Sequence, residues 1–156
     1  MKKLLVGVAV ALLTVGCNND SGGGSPTDPS QVNVEFSTTD LVVGTGPEVV
    51  VGNRATLLYE LWLYNPSGTA SKGTRVQGSS DPNPQVPGTV YGPFTLVVGA
   101  GGTIPGFDQG VRGMRLGGKR RMYIPPALAY GSQGSAPNIP PNASIVFEVE
   151  LTTLVQ

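Results

Sequence analysis

The sequence predicts an α+β domain in which an antiparallel β-sheet buries one face against one short α-helix. Three observations lead to this prediction. The 156 residues include 23 glycines and 14 prolines spread along the chain, which is typical of a turn-rich fold and not of a helical bundle. Apolar residues recur at every second position in several segments, as in half-buried strands. Signals for the start and the end of a helix occur together in one short segment.

The strand predictions rest on this alternation. Residues 55–64 form a long segment with one clearly apolar face, and residues 145–151 alternate most regularly. Weaker strand patterns cover residues 32–36, 94–98 and 119–124. Several such strands, separated by turns, predict a small antiparallel sheet.

The helix is predicted from Phe107 to about Met114. Pro105 and Gly106 precede it, and Asp108 lies in its first turn, where a carboxylate suits the positive end of the helix dipole. The glycines of residues 116–118 are expected to end it.

The composition excludes several classes of function. Ten basic and ten acidic residues give no bulk charge that would favour nucleic acid. Histidine is absent and cysteine occurs once, which excludes Ser-His and Cys-His triads, Cys/His zinc sites and an internal disulfide. We therefore expect no metal and no cofactor.

Residues 1–16 have the pattern of a signal peptide. A short basic start, Met1-Lys2-Lys3, precedes an uncharged, largely apolar run that is too short to span a bilayer. Residues 13–17 resemble the lipobox of bacterial lipoproteins, in which the cysteine carries the lipid, although Thr14 replaces the usual aliphatic residue. The alternative is an ordinary signal peptide in which Cys17 is incidental.

These features predict the organisation of the whole chain. Residues 17–30 contain no bulky apolar side chain and are expected to form a flexible, disordered tether that begins at a lipidated Cys17. The folded domain is expected to comprise residues 31–156. The predicted location is the bacterial cell envelope, with the lipid anchor in a membrane and the domain either facing the periplasm or held at the outer membrane.

A series of separated motifs resembles the FKBP-type peptidyl-prolyl cis-trans isomerases. The detailed likeness extends from about Phe94 to Leu151 and weakens back to Arg54. Each motif alone is weak, but their order and spacing together are specific. The motifs are residues 104–114 (IPGFDQGVRGM), 117–121 (GGKRR), 124–126 (IPP), 129–131 (AYG), 139–143 (IPPNA) and 146–151 (VFEVEL).

The resemblance implies an FKBP-like sheet wrapped around the short helix, with an apolar pocket between them that receives a prolyl ring. It implies an isomerase that assists protein folding, with proline-containing polypeptides as partners and macrolide immunosuppressants as candidate ligands. The residues implied to be catalytic are Tyr59, Phe107, Tyr130 and Phe147. The residues implied to bind substrate are Val76, Gln77, Phe94, Thr103, Ile104 and Ile139.

The resemblance also assigns individual roles. Phe107 stands where the family usually has tryptophan, at the floor of the pocket. The Ile104 N–H matches a donor to a substrate carbonyl, and the Tyr130 hydroxyl matches the group that supports the carbonyl next to the prolyl bond.

One departure from the family pattern leaves two functions open. Val76 and Gln77 occupy the places of a usual Phe-Asp pair, and the following loop, residues 81–92, is long and proline-rich. Asp81 is a possible substitute for the missing acid. The alternative to an isomerase is therefore a catalytically weak module, anchored to the membrane, that binds proline-containing chains as a holdase.

Two charged patterns have simple interpretations. At strand period, the run Lys119-Arg120-Arg121 places two charges on one face of the sheet and one on the other, and a solvated sheet face is expected in place of a nucleic-acid surface. Glu148 and Glu150 lie opposite the apolar side of their strand and are not expected to act as a hydrolytic pair.

Overall fold

The computed structural model describes residues 28–156, except for the side chain of Pro29. The predicted signal peptide, Cys17 and most of the predicted tether lie outside these residues. The strands are β1 (Ser37–Val42), β2 (Arg54–Tyr64), β3 (Lys72–Gly78), β4 (Phe94–Val97), β5 (Lys119–Ile124) and β6 (Ile145–Val155), and the helix is α1 (Pro105–Val111). Short 3-10 turns occupy Pro29–Gln31, Thr69–Ser71, Pro126–Leu128 and Gly131–Gln133.

The strands form one antiparallel sheet of six strands in the order β1-β5-β6-β2-β3, with β4 also paired to β2. The second half of β2 pairs with β3 and its first half pairs with β4, so these two short strands share one neighbour. The predicted α+β class, with an antiparallel sheet and one short helix, is confirmed for the described residues.

The helix packs closely on the sheet because two of its residues lack side chains. A Cβ atom at Gly106 would clash with Ile124 Cγ2, and one at Gly110 would lie 2.5 Å from Met122 Sδ. Both contacts would be far shorter than van der Waals distance, so only glycine lets α1 approach β5 this closely. The approach seals the core between the helix and the strand.

The helix is shorter than predicted at its carboxyl end. Arg112 is already extended and Gly113 has a φ of +75°, so the chain leaves the helix before Met114 and not at residues 116–118. The carbonyls of Gly110 and Arg112 accept hydrogen bonds from Arg120 Nη1 at 2.9 and 2.8 Å. A cation at this end of the helix also suits its dipole.

The basic run of residues 119–121 is divided between the two faces of β5, as its alternation predicts. Lys119 and Arg121 do lie on the outer face, where they pair with Glu150 and Glu148. Arg120 is instead buried, with 9% of its surface exposed. Alternation along the strand places Arg120 on the helix side of the sheet. There its aliphatic stem is buried and its guanidinium group donates hydrogen bonds.

The first strand also differs from the prediction. Residues 32–36 have no regular structure, and β1 begins at Ser37. The irregular segment is held by the buried Ser144: its N–H donates to Ser30 O at 2.8 Å and its Oγ donates to Val32 O at 2.8 Å. All six residues of β1 are exposed, so this edge strand gives no alternating apolar signal.

Candidate active site

The face of the sheet that meets the helix presents a row of side chains from three neighbouring strands. Leu61 on β2 pairs with Gln77 on β3 and with Phe147 on β6. Tyr59 precedes Leu61 by two residues and therefore points to the same face. The period-two pattern of the sequence is what brings these side chains to one side of the sheet.

Phe107 closes this row from the helix side. Its ring meets Phe147 edge to face at a centroid separation of 5.0 Å and Phe94 at 5.7 Å. The rings of Tyr59 and Phe147 are tilted relative to one another, with a centroid separation of 6.1 Å. Only 3% of Phe107 is exposed, so the ring belongs to the core as well as to the surface above it.

These side chains line an open cavity of about 150 Å³. Its lining residues are Tyr59, Leu61, Gln77, Phe94, Thr103, Ile104, Phe107, Tyr130 and Phe147. The structure thus brings together all four residues predicted as catalytic and four of the six predicted to bind substrate. Their chemical roles remain predictions.

Two predicted residues do not line the cavity. Ile139 is buried in the core, with 6% of its surface exposed. Val76 is half-buried and packs against the same core. Leu61, which is not among the predicted site residues, lines the cavity although it is buried in the core. Its separation from Tyr59 by two positions on one strand is the signal that could have identified it.

The polar groups of the cavity are neutral. Gln77 Nε2 donates a hydrogen bond to Tyr59 Oη at 2.5 Å. Burial raises the pKa of Tyr59 by more than the Gln77 hydrogen bond lowers it, and burial also raises the pKa of Tyr130. Both phenols therefore keep their protons at neutral pH.

Asp81 does not restore the missing acid. Its two carboxylate oxygens accept hydrogen bonds from Arg75 at 2.9 Å each, and Oδ2 also accepts one from the Gly78 N–H at 2.8 Å. The hydrogen bonds from Arg75 lower the pKa of Asp81. This carboxylate is absent from the cavity lining, so the position remains without a negative charge.

The segment before the helix supplies a backbone donor. Ile104 O accepts hydrogen bonds from the N–H groups of Phe107 and Asp108, at 3.0 and 3.2 Å. Within residues 28–156 the Ile104 N–H itself has no partner. Asp108 Oδ1 accepts a hydrogen bond from the Gly99 N–H at 2.6 Å, which fixes the loop that carries Thr103 and Ile104.

Other features of the described residues do not offer a competing catalytic centre. A hollow of about 240 Å³ is lined in part by residues that alternate with the cavity residues, including Leu58 and Glu60, and it shares Tyr59 with the cavity. It is larger than the cavity, but each of its three glutamates is already in an ion pair with a basic residue.

Residues 28–156 contain no group of three or more acidic or cysteine side chains placed to hold a metal ion. No helix in this range is long and apolar enough to cross a membrane.

The arrangement suits one kind of chemistry. A flat apolar floor and walls can hold a small ring away from water, and neutral donors at the rim can bind a carbonyl. The hydroxyl groups of the lining, on Tyr59, Thr103 and Tyr130, have no charged acid or base beside them in the lining to activate them as nucleophiles.

The family model and the relatives that match this chain describe the same kind of protein. A family model described as "FKBP-type peptidyl-prolyl cis-trans isomerase" matches residues 46–152. The chain is 39% identical over 112 residues to an FK506-binding protein of Neisseria meningitidis, covering 72% of this chain and 89% of that one. It is 36% identical over 151 residues to FK506-binding protein 2 of Dictyostelium discoideum, covering 97% of each.

A solved structure shows the same architecture. The crystal structure of a peptidyl-prolyl cis-trans isomerase from Pseudomonas syringae superposes with a TM-score of 0.58 at 27% identity. The match covers 78% of this chain and 76% of that chain.

Proposed function

The chain belongs to the FKBP-type peptidyl-prolyl cis-trans isomerase family, and we propose that it isomerises X-Pro bonds of cell-envelope proteins in the cavity floored by Phe107. Membership of the family makes the chain a peptidyl-prolyl cis-trans isomerase. The envelope location, the individual residue roles and the range of ligands are the proposed part. The observation that supports these roles is the convergence of Tyr59, Phe107, Tyr130 and Phe147 on one open cavity.

The reaction requires only rotation about a bond. Resonance gives the peptide C–N link a rotational barrier of about 18–20 kcal/mol. Cis and trans X-Pro bonds are close in energy but interconvert over tens to hundreds of seconds. A catalyst therefore has to favour the twisted amide over the planar one, and each reduction of about 1.36 kcal/mol in the barrier gives tenfold in rate.

The cavity has two means of doing so. Water stabilises the polarised planar amide, and the apolar floor of Phe107 and Phe147 excludes it from the prolyl ring. Donors fixed in advance then stabilise the carbonyl in its twisted orientation. We assign this role to the Ile104 N–H and to the Tyr130 hydroxyl, both of residues that line the cavity.

The proposed location rests on the amino-terminal sequence. The basic start, the apolar run and Cys17 together support lipid attachment at that cysteine, with the tether holding the domain away from the membrane. Mass spectrometry of the chain expressed in a bacterium tests this. We expect a mature chain that begins at Cys17 with a lipid mass added, and a Cys17→Ser variant without it. A mature chain that begins elsewhere would refute lipidation.

A protease-coupled isomerisation assay on X-Pro-Phe peptides tests the activity. The full chain is expected to accelerate cis-to-trans conversion in proportion to its concentration, and an FK506-type macrolide is expected to inhibit it by occupying the cavity. A Val43→Ala variant, changed at an exposed residue outside the cavity, is the matched control. Peptide binding without acceleration for any X would instead support the binding module suggested by Val76 and Gln77.

A further inference from the structure

A hairpin of residues 79–92 lies between two segments that line the cavity. Gln77 precedes it and Phe94 follows it, and both of these side chains belong to the cavity lining. The Tyr91 N–H donates to Asp81 O at 2.9 Å, which joins the two sides of the hairpin. The hairpin is therefore connected to the cavity at both of its ends.

The base of the hairpin is also bonded to a cavity residue. The Ser79 N–H donates to Tyr59 O, and Ser79 Oγ accepts a hydrogen bond from the Tyr59 N–H, each at 2.9 Å. On the other side of the hairpin, the Gly92 N–H donates to Ser79 O at 2.8 Å. Three prolines, at positions 82, 84 and 87, fix the backbone between these bonds. The hairpin therefore has little conformational freedom to lose when it binds a ligand.

The exposed surface of the hairpin is apolar. No charged residue occurs in the sequence between Asp81 and Asp108. Val86 and Val90 are each 51% exposed, and Tyr91 is 39% exposed. Exposed apolar side chains that adjoin a binding cavity are typical of an interaction surface. This surface suits an apolar side chain of a ligand better than a charged one.

Tyr91 is the exposed apolar residue of the hairpin that lies beside the cavity. Burial is the main cause of the raised pKa of Tyr59, and the Tyr91 phenol adds to it, so the two phenols are neighbours. Tyr91 is nevertheless absent from the cavity lining. Val90 pairs with Pro82 in an extended segment, so it points to the opposite face from Tyr91.

We propose that the Tyr91 ring binds an apolar side chain of the substrate near the proline held in the cavity, so that the hairpin extends the site along the polypeptide. This inference rests on the proposed function of the cavity. An extended chain advances at most about 3.3–3.6 Å per residue, so the bound side chain belongs to a residue within about three positions of the proline. The substrate class is then an extended or unfolded polypeptide with an apolar residue close to its X-Pro bond.

A series of peptides tests this contact. Each peptide contains one Ala-Pro bond within a run of serines, and a single leucine replaces one serine within about three residues on either side of the proline. Exchange between the cis and trans forms, followed by NMR without a protease, gives kcat/KM for the full chain. We expect leucine at one or more positions to raise kcat/KM of the wild type roughly three- to tenfold over the all-serine peptide. Tyr91→Ser should remove this gain at one of those positions.

Two further variants isolate the ring of Tyr91. Val90→Ser removes an exposed apolar side chain from the opposite face of the same segment, and it should keep the wild-type gain at every position. Tyr91→Phe keeps the ring without its hydroxyl and should also keep the gain. Loss of the gain in Tyr91→Phe would show that the contact is polar and would overturn the proposal.

The other outcomes separate the inference from the proposed function. A leucine gain that is absent, that persists in Tyr91→Ser at every position, or that Val90→Ser removes equally would overturn the role of Tyr91, while catalysis on the all-serine peptide would leave the isomerase intact. A wild type that accelerates no peptide would overturn both. Sedimentation should show a monomer, and a dimer that Tyr91→Ser dissociates would instead assign the ring to a second copy of the chain. Circular dichroism verifies that each variant is folded.

Discussion

The ring of Phe107 lies edge to face against Phe147, with a centroid separation of 5.0 Å and an interplanar angle of 78°. Phe107 comes from the helix and Phe147 from the central strand β6, so this contact joins the two layers of the fold. Because both rings also line the cavity, the floor of the site is the upper surface of the hydrophobic core. Stability and binding are therefore coupled at these residues.

Substitutions of Phe107 are expected to lower both the stability of the domain and its activity. The balance between the two losses should depend on the new side chain. Phe107→Ala should lower the free energy of unfolding by about 3–5 kcal/mol and abolish most of the activity, because it leaves a void beneath the cavity. Phe107→Leu keeps most of the apolar volume and should cost about 1 kcal/mol or slightly more. Its kcat/KM should still fall, because the flat face is lost. Urea unfolding and the isomerisation assay measure the two effects, and wild-type activity in Phe107→Leu would contradict the role of the ring.

Removal of the Tyr130 hydroxyl is expected to change activity and leave stability unchanged. Burial raises the pKa of Tyr130, and within the described residues the tyrosine hydroxyls that form hydrogen bonds are those of Tyr59 and Tyr123. Tyr130→Phe should lower kcat/KM by roughly two- to tenfold, the value of one hydrogen bond to substrate. Tyr123→Phe is the control: its hydroxyl donates to Ala70 O, away from the cavity. An equal loss in both variants would show that the Tyr130 effect is not local.

The accuracy of the sequence predictions follows from the physical origin of each signal. Strands β2 and β6 alternate clearly because one face of each is buried, and residues 55–64 and 145–151 are recognisable as strands for that reason. Strand β1 escapes prediction because it is an exposed edge strand whose pairing depends on backbone hydrogen bonds to β5. Backbone hydrogen bonds of this kind produce no pattern of side chains in the sequence.

The features of the site likewise divide into those that could be predicted from the sequence and those that could not. The likeness to a known family places Tyr59, Phe107, Tyr130 and Phe147, which come from separate elements, around one cavity. It does not give the contact between the Gln77 and Tyr59 side chains, because that depends on the rotamers of both. Alternation along β5 separates Arg120 from Lys119 and Arg121, but the two carbonyls that Arg120 binds could not be predicted, because they depend on where the helix ends.

Glu148 is expected to make the stability of the domain sensitive to acid. Burial raises the pKa of Glu148, but hydrogen bonds from Arg121 and Lys72, at 2.8 and 3.0 Å, outweigh it and the net pKa is lowered. A lowered pKa in the folded state stabilises the protein above the unfolded pKa, and this contribution is lost as pH falls through the folded value.

Glu148→Gln should therefore be less stable than the wild type at about pH 7, by about 1 kcal/mol, and the difference should shrink at about pH 3. Urea unfolding at the two pH values measures it. Glu35→Gln, at an exposed residue outside the ion pairs of the described chain, should show no such change. A difference between Glu148→Gln and the wild type that grows on acidification would contradict the sign of this linkage.

Arg120 is expected to be the most important charged residue for stability. Its Nε donates to Asp40 Oδ1 at 2.6 Å, while its Nη1 binds the two carbonyls at the end of the helix. Arg120→Ala would leave those carbonyls without a donor and Asp40 without its partner. We expect the free energy of unfolding to fall by about 3 kcal/mol or more.

The Arg120→Lys variant distinguishes shape from charge. A lysine keeps the positive charge but presents one ammonium group, which cannot bind Asp40 and both carbonyls in the directions that the planar guanidinium reaches. It should therefore recover only a minor part of the loss. Lys119→Ala, which removes an exposed partner of Glu150, should change the free energy of unfolding by no more than about 1 kcal/mol. Full recovery in Arg120→Lys would mean that the helix end needs only a nearby charge, and that the hydrogen-bond geometry of Arg120 does not stabilise it.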